Sequence, residues 1–411
     1  MKINKLLLCL LSLLVFVSCA NDDDYETVQV ASAITMSVAE LRNSISVLPP
    51  QNISESGKVY VKDHLILIND KKEGIHLIDN TNPANPQKTA FLKVLGSNDM
   101  EIKGDYLYVD SYMDLVVFDI SNLTEIKEVE RLEDVFPYYA PYPVDATYIN
   151  YNTYPQDQKA IVVGWDIKEE RRKIEDNPVY YDVSNAAFSE SFSSSETGQG
   201  GSLARFKIVN NYLYAVDYSN INVFDISNLN TPQKKESVEA GFDIETIFNR
   251  GEYLFLGSMN GLYIYDIKTP AVPSFVSEFR HVTSCDPVVV DGDYAFVTLR
   301  GGNFCGAINS SLRVIDISDI MNPVEKSSYT LEEPYGLGVK NDKLYVCDGD
   351  AGLKVFDKKD VPSVKLLETY DVEKAYDVIP LANNLIMIGD GTLYQYSYLE
   401  NGLELVSEFE L

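Results

Sequence analysis

An all-β fold, closed as a single β-propeller of four-stranded blades, is what three features of this 411-residue sequence predict. The first is a refrain. "VFDISNL" at 117–123 returns letter for letter at 223–229, and looser copies end in Asp79, Asp266, Asp316 and Asp357. These aspartates recur at gaps of 40, 41, 50 and 41 residues, a period near 41, except between Asp119 and Asp225, which stand 106 apart. The second is what fills each period: four short runs of alternating or wholly apolar residues, broken by Asn, Asp, Gly and Pro turns. Residues 335–370 contain "YGLGVKN", "KLYVCDG", "GLKVFD" and "VKLLETY" in that order. The third is composition, since 28 tyrosines against one tryptophan in a chain 45% hydrophobic lean toward strand. One small sheet cannot bury both its faces, whereas a circle of such sheets can.

In chain order, the first element is a leader. Lys2 and Lys5 precede an apolar run from Leu6 to Val17. As a helix that run spans about 18 Å, short of the roughly 30 Å hydrocarbon core, so residues 1–18 read as a signal peptide. Phe16-Val17-Ser18-Cys19 resembles a bacterial lipobox, with Phe16 where leucine is usual. That resemblance implies cleavage before Cys19 and lipid on its thiol. The acidic run that follows, Ala20 to Asp24, resembles the export signal of surface lipoproteins in the Bacteroides group. It implies an outer-membrane lipoprotein exposed on the cell surface, with residues 19–36 as lipidated cysteine and acidic linker. Ser37-Val38-Ala39-Glu40 is a capping-box pattern, and Val38, Leu41 and Ile45 share one helical face. Residues 37–56 therefore read as a short N-terminal helix and a connector.

The propeller takes residues 57–411. Units begin near 57, 98, 144, 204, 242, 285, 335 and 375, which makes eight blades. Seven is the alternative, because the first unit opens weakly and the third is irregular. The third unit's refrain, "VYYDVSN" with Asp182, requires an insertion of about 20 residues. The last unit places Ser397 where aspartate would stand. The apolar letters of the refrain suit a third strand buried between blades, and the aspartate suits a turn, where short polar side chains bond nearby backbone.

The blocks "GLKVFD", "LRVIDISDIMNP" and "LVVFDISNL" resemble the LVIVD-repeat family over roughly residues 57–411. The resemblance implies a β-propeller and, for members with this kind of leader, a surface protein. It implies no catalytic residues.

Charge narrows function. With 62 acids against 34 bases the net charge is −28, which repels phosphate backbones and anionic lipid surfaces alike. No nucleic-acid partner is expected. In a propeller, the loops entering each innermost strand share a rim with those joining second to third strands, and by analogy of fold that rim is the working side. Several stretches map there. "FPYYAPYP" offers Tyr138, Tyr139 and Tyr142, spaced by prolines, as flat faces for sugar rings or peptides. "FRHVTSCDPVVV" and "LRGGNFCGAINSS" bring Cys285 and Cys305 to the same rim as a candidate disulfide. They also bring His281, Asp286 and Arg300, which join Asp348 as candidate ligand contacts. Cys347 is a buried thiol or a competing partner. Asp70, Asp110, Asp217, Asp348 and Asp390 each close a second strand and would form a ring of carboxylates. Asp110, Asp217 and Asp348 are the metal candidates, although no calcium-loop spacing is present. Ser189–Ser202 reads as an exposed low-complexity loop. No G-x-S-x-G, H-E-x-x-H or P-loop occurs, and His64, His76 and His281 are the three histidines. The sequence thus predicts a monomeric binding module for a glycan, a peptide or an envelope protein, with no cofactor. The alternatives are a carboxylate-based glycoside hydrolase or lyase and a structural subunit of an outer-membrane assembly.

Overall fold

The computed structural model describes residues 25–157, 159–173, 199–280, 287–301, 309–400 and 402–411. They divide into two compact units, a larger one of residues 42–139 and 184–411 and a smaller one of residues 1–41 and 140–183. In the larger unit, seven sheets each carry an antiparallel four-strand meander. These are blades 1 to 7, at residues 56–93, 100–132, 206–239, 244–280, 288–330, 337–370 and 375–410. The propeller forms as the sequence predicts.

The eighth sheet is not a blade. It is three-stranded, with Tyr148–Asn150 and Ala160–Lys173 flanking the long strand Tyr25–Ser37, and it makes up the smaller unit. Two expectations are corrected here. The irregular third unit leaves the repeat, and residues 25–36 are strand rather than linker. The reason is visible afterwards: Val28 and Val30 are buried with the more exposed Gln29 between them, a short period-two pattern that Ala31, also buried, interrupts and that the acidic run before it masks. The refrain copy at 179–185 lies outside the described residues.

The refrain is apolar at consecutive positions because the third strand is buried on both faces. In Asp114–Asp119, Val116 and Phe118 pack with Tyr60, Leu67 and Leu77 of blade 1. Leu115 and Val117 pack with Phe206, Ile208 and Leu213 of blade 3. Strand alternation thus sends successive side chains to opposite neighbours. Each fully buried aliphatic or aromatic side chain stabilises by roughly 1.5–3 kcal/mol. The refrain aspartate then turns the chain: Asp225 Oδ1 accepts from the Ser227 amide at 3.0 Å and its hydroxyl at 2.7 Å. Asp79, Asp119, Asp266, Asp316 and Asp357 take the amide two residues on in the same way.

Blade 7 closes on blade 1 without exchanging a strand. Ile386 and Ile388 share a core cluster with Ile66 and Ile68. Asn80 and Gln395 exchange amide hydrogen bonds of 3.0 and 2.7 Å, and Ser407 donates to the Pro83 carbonyl at 2.6 Å. The outer edge of blade 1 is covered by Ser46–Leu48.

The innermost strands carry buried charge: Lys58, Glu101, Lys207, Glu245 and Asp377. A segment of chain lies against them. Gln199–Gly200 pairs with Ser56–Lys62 of blade 1. Ser202 accepts from the Leu337 amide of blade 6 at 2.7 Å and donates its own amide to Asp377 of blade 7 at 3.3 Å. The amides of Arg205 and Phe206 reach Asp99 of blade 2. Residues 199–202 are therefore not exposed loop, and Gly200, Gly201 and Ser202 are buried.

The helix is short, Val38–Arg42. Its capping box is made: the Glu40 amide donates to Ser37 Oγ at 3.1 Å, and Glu40 Oε2 accepts from the Ser37 amide at 3.0 Å. Ile45, expected on the helix, follows it and packs in the core between blades 1 and 2. Among the described residues no helix is long and apolar enough to cross a membrane.

Candidate functional site

A four-strand meander returns the entry of its first strand and the turn between its second and third strands to the same end of the blade. On that rim four aspartates expected as an open ring are instead buried acceptors. Asp70 takes the amides of Ser54 and Glu55 at 3.0 and 2.9 Å, and the ring of buried His76 at 3.3 Å. Burial pushes its carboxyl up, but these bonds outweigh burial and hold it at about 2. Asp110 accepts the Asn98 and Asp99 amides, both at 2.8 Å, yet its burial leaves its carboxyl above the usual range. Asp217 accepts from Ser219, Asn220 and Asn222. Asp348, fully buried, accepts the Glu332 and Glu333 amides and pairs with Lys354. These carboxylates fasten the loops that enter the innermost strands or tighten the turn itself. None is presented as a ligand contact, so Asp348 is corrected from ligand candidate to loop fastener. The metal candidacies of Asp110, Asp217 and Asp348 fall for the same reason. No group of three His, Cys, Asp or Glu side chains among the described residues could hold a metal. His64 is exposed in the turn between the first two strands of blade 1, at the opposite rim. Cys347 is a buried free thiol, its pKa pushed well up by burial. Cys19, His281, Cys285, Asp286 and Cys305 lie outside the described residues.

What the rim does present is aromatic. Tyr139, 60% exposed, lies 6.2 Å from Tyr218, whose ring meets Phe242 edge-on at 4.8 Å. Phe242 is 53% exposed. The row crosses from the loop after blade 2, over the blade 3 turn, to the loop entering blade 4. Its last member is set by a strained turn, since Asp243 holds φ at 52°, a left-handed angle costing about 1–2 kcal/mol for a residue with a Cβ. The Tyr218 hydroxyl bonds Asp243, and burial followed by that carboxylate pushes the phenol up. Beside the row, Tyr138 packs 6.0 Å from Tyr112. Tyr142 belongs to the smaller unit.

A second row crosses blades 5, 6, 7 and 1. The Arg300 guanidinium lies 4.3 Å over Tyr335, Tyr335 lies 5.3 Å from Tyr376, and the Lys71 ammonium lies 5.9 Å over Tyr376. It leads into a cleft of 330 Å³ between blades 7 and 1, floored by Ile53, Ile388 and Leu411. The structure thus brings Tyr138 and Tyr139 together with Tyr112, Tyr218 and Phe242, and places Arg300 in the other row. Tyr112 and Tyr218 follow the second-strand aspartates by two and one residues, so the turns just after those aspartates are where the sequence carried a signal for them.

Residues 96–134, 200–240, 246–280 and 284–331 match the LVIVD repeat. The chain carries four LVIVD repeats. They correspond to blades 2 to 5, a narrower span than the resemblance read over residues 57–411, although blades 1, 6 and 7 have the same strand order. No curated protein matches the sequence. Among solved structures the LVIVD-repeat chain is similar to a protein from Lactobacillus plantarum, at TM-score 0.55 and 10% identity over 87% of this chain and 96% of that one. It is similar to BamB from Moraxella catarrhalis at TM-score 0.50 and 10% identity, over 90% and 100%. The computationally designed Ika8 protein gives TM-score 0.51 and 10% identity, over 86% and 89%. At such identities these likenesses speak to the β-propeller fold alone.

Proposed function

We propose that the chain is a lipid-anchored propeller displayed at the outer membrane, and that its loop rim binds a protein or peptide. The row Tyr139–Tyr218–Phe242, exposed at Tyr139 and Phe242 and half-buried at Tyr218, carries this reading. Large aromatic faces held in water by a strained turn are the usual anchors of an interface. The polar groups beside the row are engaged by their own chain. The Asp217 oxygens take donors from Ser219, Asn220 and Asn222, leaving the surface richer in flat faces than in partners for sugar hydroxyls. A carboxylate so engaged is also poorly placed to protonate a glycosidic oxygen. Export and anchoring rest on the leader and on Cys19.

Two experiments test the reading. Crosslinking in cells, with mass spectrometry, is expected to recover a protein partner from the parent chain. The double variant Tyr139→Ala, Phe242→Ala should fold with an unchanged melting temperature and lose at least about thirtyfold in affinity. Recovery of the chain alone, or binding of a polysaccharide with no protein captured, would count against it. Separately, Cys19→Ser should move the protein from the membrane fraction to the soluble fraction, because two or three acyl chains are what hold it.

A further inference from the structure

We propose that the cleft between blades 7 and 1 takes a lysine or arginine side chain of the partner polypeptide. This rests on the rim being the binding face, and it specifies the chemistry of one subsite.

The cleft suits an amphipathic cation. Its floor of Ile53, Ile388 and Leu411, with the Tyr376 ring, suits an aliphatic stem. Its lips carry two carboxylates, Glu55 and Asp390, both well exposed. The chain already displays the arrangement with its own lysines. Lys71 bonds Glu55 at 2.7 Å while lying over the Tyr376 ring, and Lys374 bonds Asp390 at 2.5 Å. Both pairs face solvent, with side-chain exposures of 40% and 69% at Lys71 and Glu55 and of 69% and 46% at Lys374 and Asp390. Exposed pairs of this kind contribute little and exchange readily. An incoming cation can therefore take the place of Lys71 between Glu55 and the ring, where its charge meets the ring face.

Charge favours that occupant over an anionic one. The neighbouring rim loops of blades 1, 6 and 7 carry exposed Glu73, Glu332, Glu333, Asp350, Asp371 and Glu373 against one further lysine, Lys72. The whole chain stands at −28. That field draws basic segments to the rim and repels acidic ones.

The test uses the full chain and three fluorescently labelled peptides at low salt: a lysine-rich octapeptide, its norleucine counterpart and its glutamate counterpart. The lysine peptide is expected to bind at least tenfold tighter than either of the others. Because Lys71 competes for the same position, Lys71→Met should tighten the lysine peptide three- to tenfold. Glu55→Gln with Asp390→Asn should weaken it at least tenfold. Equal binding of the norleucine peptide, weaker binding to Lys71→Met, or binding that ignores the loss of the two carboxylates would each overturn the proposal. The last outcome would mean diffuse attraction to an acidic surface. If the cellular partner is lost with Tyr139→Ala, Phe242→Ala but kept by the cleft variant, the cationic subsite fails while the rim reading stands.

Discussion

At pH 8, Asp377→Asn is expected to be more stable than the parent chain, by up to about 4 kcal/mol. Asp377 is 1% exposed on the innermost strand of blade 7. Its Oδ1 accepts the Val378 amide at 2.9 Å and the Ser202 amide at 3.3 Å. Its Oδ2 has no hydrogen-bond partner among the described residues. Burial pushes its carboxyl from the ordinary 3.8 to about 7, against the pull of those amides and of Lys58 on blade 1. Cys347, on the second strand of blade 6, also feels its charge. The folded chain then holds the proton more tightly than the unfolded chain does. The stability this supplies is complete below about pH 4, declines as pH rises through the interval up to about 7, and is gone above it. Asparagine keeps one acceptor oxygen and cannot ionise, so its stability should stay nearly level over that interval. Urea midpoints at pH 4.5, 6 and 8 measure the difference. Equal slopes for parent and variant would show that the charge on Asp377 is solvated after all.

A second large effect is expected at Gly352, where alanine should cost about 3 kcal/mol or more. The residue opens the refrain strand of blade 6 at a φ of +79°, and an added Cβ would overlap the carbonyl oxygen of Tyr370 on the outer strand. Both terms oppose a side chain, one through backbone conformation and one through contact with atoms that cannot move aside. Gly251 supplies the control. Its φ is +57°, but an added Cβ would meet nothing within 4 Å, so Gly251→Ala should cost only about 1 kcal/mol. Thermal melts of the two variants separate the terms, and equal losses would remove the Tyr370 contact as a cause.

Much of the fold was legible because it is local and repeated. The refrain marks the third strand six times over, and the aspartate after it turns the chain through its own nearest amides. The smaller unit was harder to read. Val28 and Val30 alternate as a strand should, but their partner strand, Ala160–Lys173, lies more than a hundred residues away and ends in the charged run "KEERRK". The rim was legible as a place and not as a surface. Second-strand aspartates were visible as a set, yet residue type alone could not tell an open carboxylate from one bonded to backbone amides. Tyr139 stood out among its prolines, whereas Phe242 gave no signal until the turn at Asp243 set it beside Tyr218.

A ring of repeated blades follows from local pattern alone, because a strand buried on both faces must be largely apolar at consecutive positions and must recur with each sheet. Long-range packing set the rest: among the described residues seven sheets close the ring, residues 199–206 run along its innermost strands, and the rim leaves particular side chains in water. Those outcomes depend on contacts between residues far apart in the chain, such as Gly201 beside Asp377 and Asn80 beside Gln395, and no local pattern records them.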